Sequence, residues 1–173
     1  SINYYINAST QVTLSAVDNI VGVNATYYAI DIGAFQEYTG AFTLAGQSEG
    51  THTIKYYSVD ELGNTESTTE QDVYVDNSVP DADLVIGEPK LTVISGDSET
   101  TTIYVTNATG FNVSGTDYPT LNSSVQYCQY GVDDVEGIMW TTASEFTLAG
   151  VPDGVHTIYY RCVDNLNQTG ATE

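Results

Sequence analysis

Two cysteines and two histidines are the residues best suited to chemistry in this 173-residue chain, and spacing decides what each pair can do. Cys128 shares strand parity with Tyr130 and Val132, and Cys162 with Ile158 and Tyr160. Side chains of one parity face one side of a strand, so both thiols point into a core, on strands expected to be neighbours. A disulfide between residues 34 apart is the expected product. It would contribute roughly 3–4 kcal/mol in the loop-entropy model. Two buried free thiols are the alternative. A nucleophilic thiol needs a base beside it, and the pattern brings no histidine near. His52 and His156 occupy the same position in two copies of a repeated sequence, at the entry to a strand. That placement suits a hydrogen bond to a turn. Neither a second histidine nor a cysteine pair gives zinc-ligand spacing. No Ser-His-Asp arrangement, phosphate loop or dinucleotide fingerprint occurs, so an enzyme is not expected.

Acidic clusters are the other candidate chemistry. In a sandwich of seven strands A to G, the ends of B and F and the start of A lie at one pole. That gathers Asp81, Asp83, Asp117 and Asp164 in the second half of the chain, and Asp18, Asp60 and Glu61, with Asn19, in the first. Hard oxygen donors from separate loops suit Ca²⁺, which takes 6–8 of them. The competing reading is turn capping, because Asp and Asn form Asx-turns at strand ends without any metal. No cofactor is required on either reading. Trp140 could stack a sugar ring or cover the edge of a core.

These residues sit in a sequence that says one thing twice. Phe42-Thr43-Leu44-Ala45-Gly46 returns as Phe146-Thr147-Leu148-Ala149-Gly150, and His52-Thr53-Ile54 returns as His156-Thr157-Ile158, both 104 residues on. Upstream the offset shrinks, to 102 between Tyr28 and Tyr130 and to 100 between Asn7-Ala8 and Asn107-Ala108. Loop insertions between fixed strands produce such drift. A repeat of roughly 100 residues is a domain rather than a solenoid rung. Period-two alternation runs through Gln11–Val17, Thr53–Val59, Gln71–Val75 and Thr101–Val105. Turn signals separate these stretches, which argues for an all-β chain of tandem immunoglobulin-like sandwiches with Greek-key closure. The expected domains are residues 1–77 and 78–173, joined at Asp76-Asn77-Ser78-Val79-Pro80. Asp81–Thr100 has no counterpart before Ser1, and Thr68–Asp76 has none after Glu173. The first repeat is therefore expected to lack its first strand and the second its last. Either the chain is a window on a longer array, or neighbouring copies supply the strands.

The run Gly50-x-His52-x-Ile54-x-Tyr56-x-Ser58-x-Asp60-x-x-Gly63-Asn64 resembles the F-strand signature of bacterial and archaeal immunoglobulin-like surface repeats, with its Gly-x-His-Thr opening and Asp-x-x-Gly-Asn close. Tyr27–Phe35 resembles the C strand and following turn of that family. The second repeat keeps Gly154, His156, Ile158, Tyr160 and Asp164 but has Asn167-Gln168 where Gly-Asn is expected. The resemblance implies a surface-layer or adhesin setting.

Composition agrees with such a setting. Net charge is −20, from 23 acids against Lys55, Lys90 and Arg161, which excludes nucleic-acid binding. No apolar run is long enough to insert directly in a membrane. Six of eleven asparagines lie in Asn-x-Ser/Thr sequons, Asn7, Asn24, Asn107, Asn112, Asn122 and Asn167. They read as N-glycan acceptors, or as the by-product of a Thr-rich β-protein. The expected function is a structural module of an extracellular cell-surface assembly, with copies of the chain as partners in a layer, sheath or filament. An adhesin or carbohydrate-binding accessory module of a larger secreted protein is the alternative.

Overall fold

The computed structural model describes residues 4–95, 100–117, 123–133 and 139–173. The chain is all-β, with strands in several sheets and no helix among the described residues. It divides into two compact units, Ser1–Ser78 with Pro119–Ser123, and Val79–Tyr118 with Ser124–Glu173. The division falls one residue later than expected, and Ser123 groups with the first unit. There the buried Asp76 carboxylate accepts a 2.6 Å bond from the Ser123 N–H.

In the first unit, β1 (Tyr4–Ile6), β2 (Val23–Ile30), β3 (Gln36–Glu37), β4 (Gly50–Asp60) and β5 (Thr69–Val75) form one sheet in the order β1-β5-β4-β2-β3. β1 pairs in parallel with β5; the other neighbours are antiparallel. Alternation sorts β4, sending His52 and Ile54 inward while Thr51 stays exposed. Ile6, Leu44, Ile54, Val73 and Val75 build the core, closed by Val12 and Phe42, which exchange backbone hydrogen bonds at 2.7 and 3.1 Å. Burying such side chains contributes about 1.5–3 kcal/mol each.

The second unit contains β6 (Asp81–Ile86), β7 (Lys90–Ser95), β8 (Thr100–Val105), β9 (Gly110–Thr116), β10 (Val125–Val132), β11 (Thr141–Thr142), β12 (Glu145–Thr147) and β13 (Ile158–Asp164). Sheet β12-β9-β6 packs on sheet β11-β10-β13, and β7 and β8 form a separate hairpin. Phe111, Val113, Cys128, Phe146, Leu148 and Cys162 fill the space between the two sheets. The Phe146 ring stacks on Phe111 and on Tyr130, with centroids 5.0 and 3.7 Å away.

Corresponding residues of the repeated sequence take corresponding registers. Tyr28 pairs with Tyr56 as Tyr130 pairs with Tyr160, and Val59 bridges Thr65 as Val163 bridges Thr169. Gly170–Glu173 runs back along β13, with Glu173 and Tyr160 exchanging backbone bonds at 3.1 and 3.3 Å. That is the register in which Thr69 meets Tyr56 in the first unit.

Candidate functional site

Cys128 and Cys162 face each other across β10 and β13 and are joined as a disulfide. Both are buried. The first unit carries a hydroxyl pair at the same register, with Thr26 Oγ1 and Ser58 Oγ 3.0 Å apart. One cross-strand position thus holds a covalent link in one unit and a hydrogen bond in the other. Gly115 of β9 makes room for the disulfide: a Cβ there would stand 2.7 Å from the Cys162 sulfur.

Each histidine is clamped at both ring nitrogens. His52 Nδ1 lies 2.7 Å from Asp31 Oδ2 and Nε2 lies 2.8 Å from the Ser48 carbonyl. His156 repeats this with Asp133 Oδ2 at 2.6 Å and the Pro152 carbonyl at 2.7 Å. Both partners are acceptors, so only the doubly protonated ring can donate to each. Burial opposes the charge on His52, and the Asp31 and Ser48 bonds outweigh it, leaving its pKa raised. On His156 the Asp133 bond leads, and the pKa is raised again. Each aspartate is held below the usual carboxylate range, first by its histidine and then by a backbone N–H, of Thr53 for Asp31 and Thr157 for Asp133. Asp31 and Asp133 share the left-handed backbone, φ 53° and 63°, which Asp tolerates through such local bonds. The bond to a turn expected of the histidines is present, and neither ring nitrogen is left for a substrate.

The seven carboxylates considered for calcium separate into kinds. Asp18 Oδ1 accepts from the Ile20, Val21 and Gly22 N–H groups, which lowers its pKa. Asp60 Oδ1 accepts from Leu62 and Asn64 N–H, and its Oδ2 from the Asn64 amide. Glu61 is exposed in the turn between them. Asp164 copies Asp60, taking the Leu166 and Gln168 N–H groups on Oδ1 and the Gln168 amide on Oδ2. Asn167, at φ 62°, stands where Gly63 has φ 83°, so the turn survives the loss of Gly-Asn. Asp81 and Asp83 alternate with Ala82 and Leu84 on β6 and point outward, whereas Asp117 and Asp164 are buried. Those last two carboxylates lie within 4.8 Å of one another. Strand parity, legible in the sequence, separates the outward pair from the buried one.

Of the sequons, Asn24, Asn107 and Asn167 are exposed, and Asn7 and Asn112 are half-buried. Asn7 Oδ1 closes a turn by accepting from Ser9 and Thr10, and Asn112 Nδ2 donates to Glu145 at 3.4 Å. Asn122 lies outside the described residues. Trp140, half-buried, has the Arg161 guanidinium 4.0 Å from its ring centroid, and Arg161 Nε donates to Gln129. In the first unit the equivalent pair is aromatic: Tyr27 stacks on Tyr57, with Phe35 edge-on to the latter. These outward-facing planar groups are a signal that a search for catalytic motifs passes over.

No family model matches the chain, and no curated protein does. Among solved structures it is similar to fibronectin(III)-like modules of CbhA from Clostridium thermocellum. The two share 13% identity over 99% of this chain and 86% of that one, with a TM-score of 0.46. A likeness that distant bears on neither the fold nor the activity of this chain.

Proposed function

We propose that the chain is a structural, non-enzymatic module of an extracellular cell-surface assembly, two immunoglobulin-like Greek-key sandwiches in tandem that associate with copies of themselves. One observation carries the reading. The polar residues the sequence repeats, Asp31/Asp133, His52/His156 and Asp60/Asp164, all have their side chains bonded within their own unit. What is repeated is scaffold, with its polar groups committed to bonds inside each unit. The disulfide suits an oxidising compartment, and the exposed sequons suit glycans on a secreted surface. Imaging the natively purified protein by negative-stain electron microscopy tests this. Ordered filaments or lattices are expected, and monodisperse particles at every concentration would sink the reading.

Ca²⁺ enters as a stabilising ligand at Asp117 and Asp164, the one pair of the expected carboxylates that is buried and adjacent. The second reading, a carbohydrate-binding accessory module, draws on the outward Trp140 of one unit and the Tyr27–Tyr57 stack of the other. Retention of the monomer on insoluble polysaccharide, lost in Trp140→Ala or Tyr57→Ala, would favour it over self-assembly.

A further inference from the structure

A strand at the border of a sheet keeps one row of main-chain groups unpaired, and most borders in this chain are guarded against a further strand. β3 carries Glu37, β6 Asp81 and Asp83, β12 Glu145 and β13 Asp164, while β1 and β11 are only three and two residues long. The β7–β8 ribbon is the exception among the described residues, with six residues in each strand and no acid in either. β8 lies against its own unit, where Val105 packs on the core. β7 pairs with β8 and with no other described strand.

Leu91, Thr92, Val93 and Ile94 are all exposed, so β7 is wet on both faces as well as along its border. Three β-branched residues in succession favour the extended backbone. A two-stranded ribbon is nevertheless marginal in water and gains from a third strand. The free row can be assigned. Lys90 gives its N–H to the Glu88 carboxylate at 2.9 Å instead of to β8. Main-chain groups alternate between the two sides of a strand, so Thr92 and Ile94 also turn theirs to the free side. Charge selects the occupant. A basic partner would be drawn to the borders that carry acids. An acid-free border suits a partner that is itself acidic, and at net charge −20 a second copy of the chain is such a partner.

We propose that β7 is a self-association edge, at which two copies pair antiparallel and merge their ribbons in one four-stranded sheet. The two-fold axis passes beside Val93. Thr92 of each copy exchanges main-chain bonds with Ile94 of the other, and Val93 meets Val93 in the close, non-bonded type of pair, with Cβ atoms about 4.5–5.5 Å apart. The contact deepens the proposed assembly function by naming one joint of it. A two-fold joint closes on itself, so an extended layer requires a second, different contact.

Sedimentation of the full chain at about 150 mM NaCl, where repulsion is screened, tests the edge. The natural chain should dimerise. Thr92→Pro removes an N–H from the free side only, a place where a border strand tolerates proline, so the ribbon is kept and dimerisation should weaken about tenfold or more. Val93→Cys should form an intermolecular disulfide on mild oxidation. Ile103→Cys on β8 is the control, because Val93 and Ile103 are equally exposed, at 41% and 42%, and only the first lies on the pairing strand. Equal cross-linking of the two cysteine variants, or undiminished dimerisation of a folded Thr92→Pro chain, overturns the edge. Lattices formed by Thr92→Pro as readily as by the natural chain would overturn it while the assembly function stands. Dimers cross-linked through Val93→Cys without lattices at any concentration would uphold the edge and sink the assembly function. A natural chain that stays monomeric throughout would sink both.

Discussion

Residue by residue, the two units solve the same local problems with different chemistry. At one cross-strand position the first unit uses the Thr26–Ser58 hydroxyl pair and the second the Cys128–Cys162 disulfide. Replacing both cysteines by serine should therefore leave a foldable second unit, since the first shows that a hydroxyl pair fits this register. The cost should be roughly 3–4 kcal/mol, the loop-closure entropy returned to the unfolded chain. Urea unfolding under oxidising and reducing conditions measures it; equal stability in both would refute the estimate. The histidines give a pH signature. Their pKa values are raised in the folded state, so their contribution is complete below about 6.5, the unfolded value, and is lost as pH rises through the folded pKa. Asp31 and Asp133 are lowered, so theirs is complete above about 3.8, the unfolded value, and is lost as pH falls through the folded pKa. The melting temperature should thus be highest near pH 5–6 and decline toward pH 8–9. The double variant His52→Gln with His156→Gln should flatten that decline, and a slope unchanged in it would remove the histidines as the cause.

Elements were legible where a period-two pattern met the repeat, and less so elsewhere. The facing cysteines follow from parity, because strand side chains alternate and the expected immunoglobulin-like order makes those two strands neighbours. The direction of a carboxylate at a strand end does not follow from the position of that end. Asp81, Asp83, Asp117 and Asp164 were expected at one pole, yet the alternation of β6 turns the first two outward. The β7–β8 hairpin was missed for a related reason: a strand in a two-stranded ribbon has the same period as one in a sandwich. β1 escaped because three residues are too few for alternation to register. Turn chemistry was more forgiving than the motif suggested. Gln168 reaches Asp164 as Asn64 reaches Asp60, and Asn167 accepts the left-handed backbone that Gly63 holds in the first unit. Asn167→Ala should cost about 1–2 kcal/mol, the penalty of a Cβ in that region without a local polar bond. Asn167→Gly should be near neutral. Chemical denaturation of the two variants separates them, and equal stability would show that φ does not govern this turn.

For the molecule as a whole, charge sets the terms of association. With 23 acids against three basic residues, copies repel at long range, and contact requires screening or neutral surface. The strands of the β7–β8 hairpin contain no acid, and Leu91, Ile94 and Tyr104 on them are 62%, 72% and 59% exposed, so this ribbon is an acid-free place to approach. Raising NaCl from about 10 mM to 150 mM shortens the screening length from roughly 30 to 8 Å, and should promote association and raise the melting temperature together. Calcium can act beyond that. If Asp117 and Asp164 hold it, millimolar Ca²⁺ should stabilise the second unit more than NaCl of the same ionic strength, and chelator should reverse the gain. Asp117→Asn should abolish the difference while leaving the response to NaCl intact. The outward Asp81 and Asp83 supply the control, because Asp81→Asn with Asp83→Asn changes net charge without touching the buried pair. Equal melting temperatures in calcium and matched NaCl would make the acidity a matter of hydration and repulsion alone, and assembly would then depend on strand edges and ionic strength.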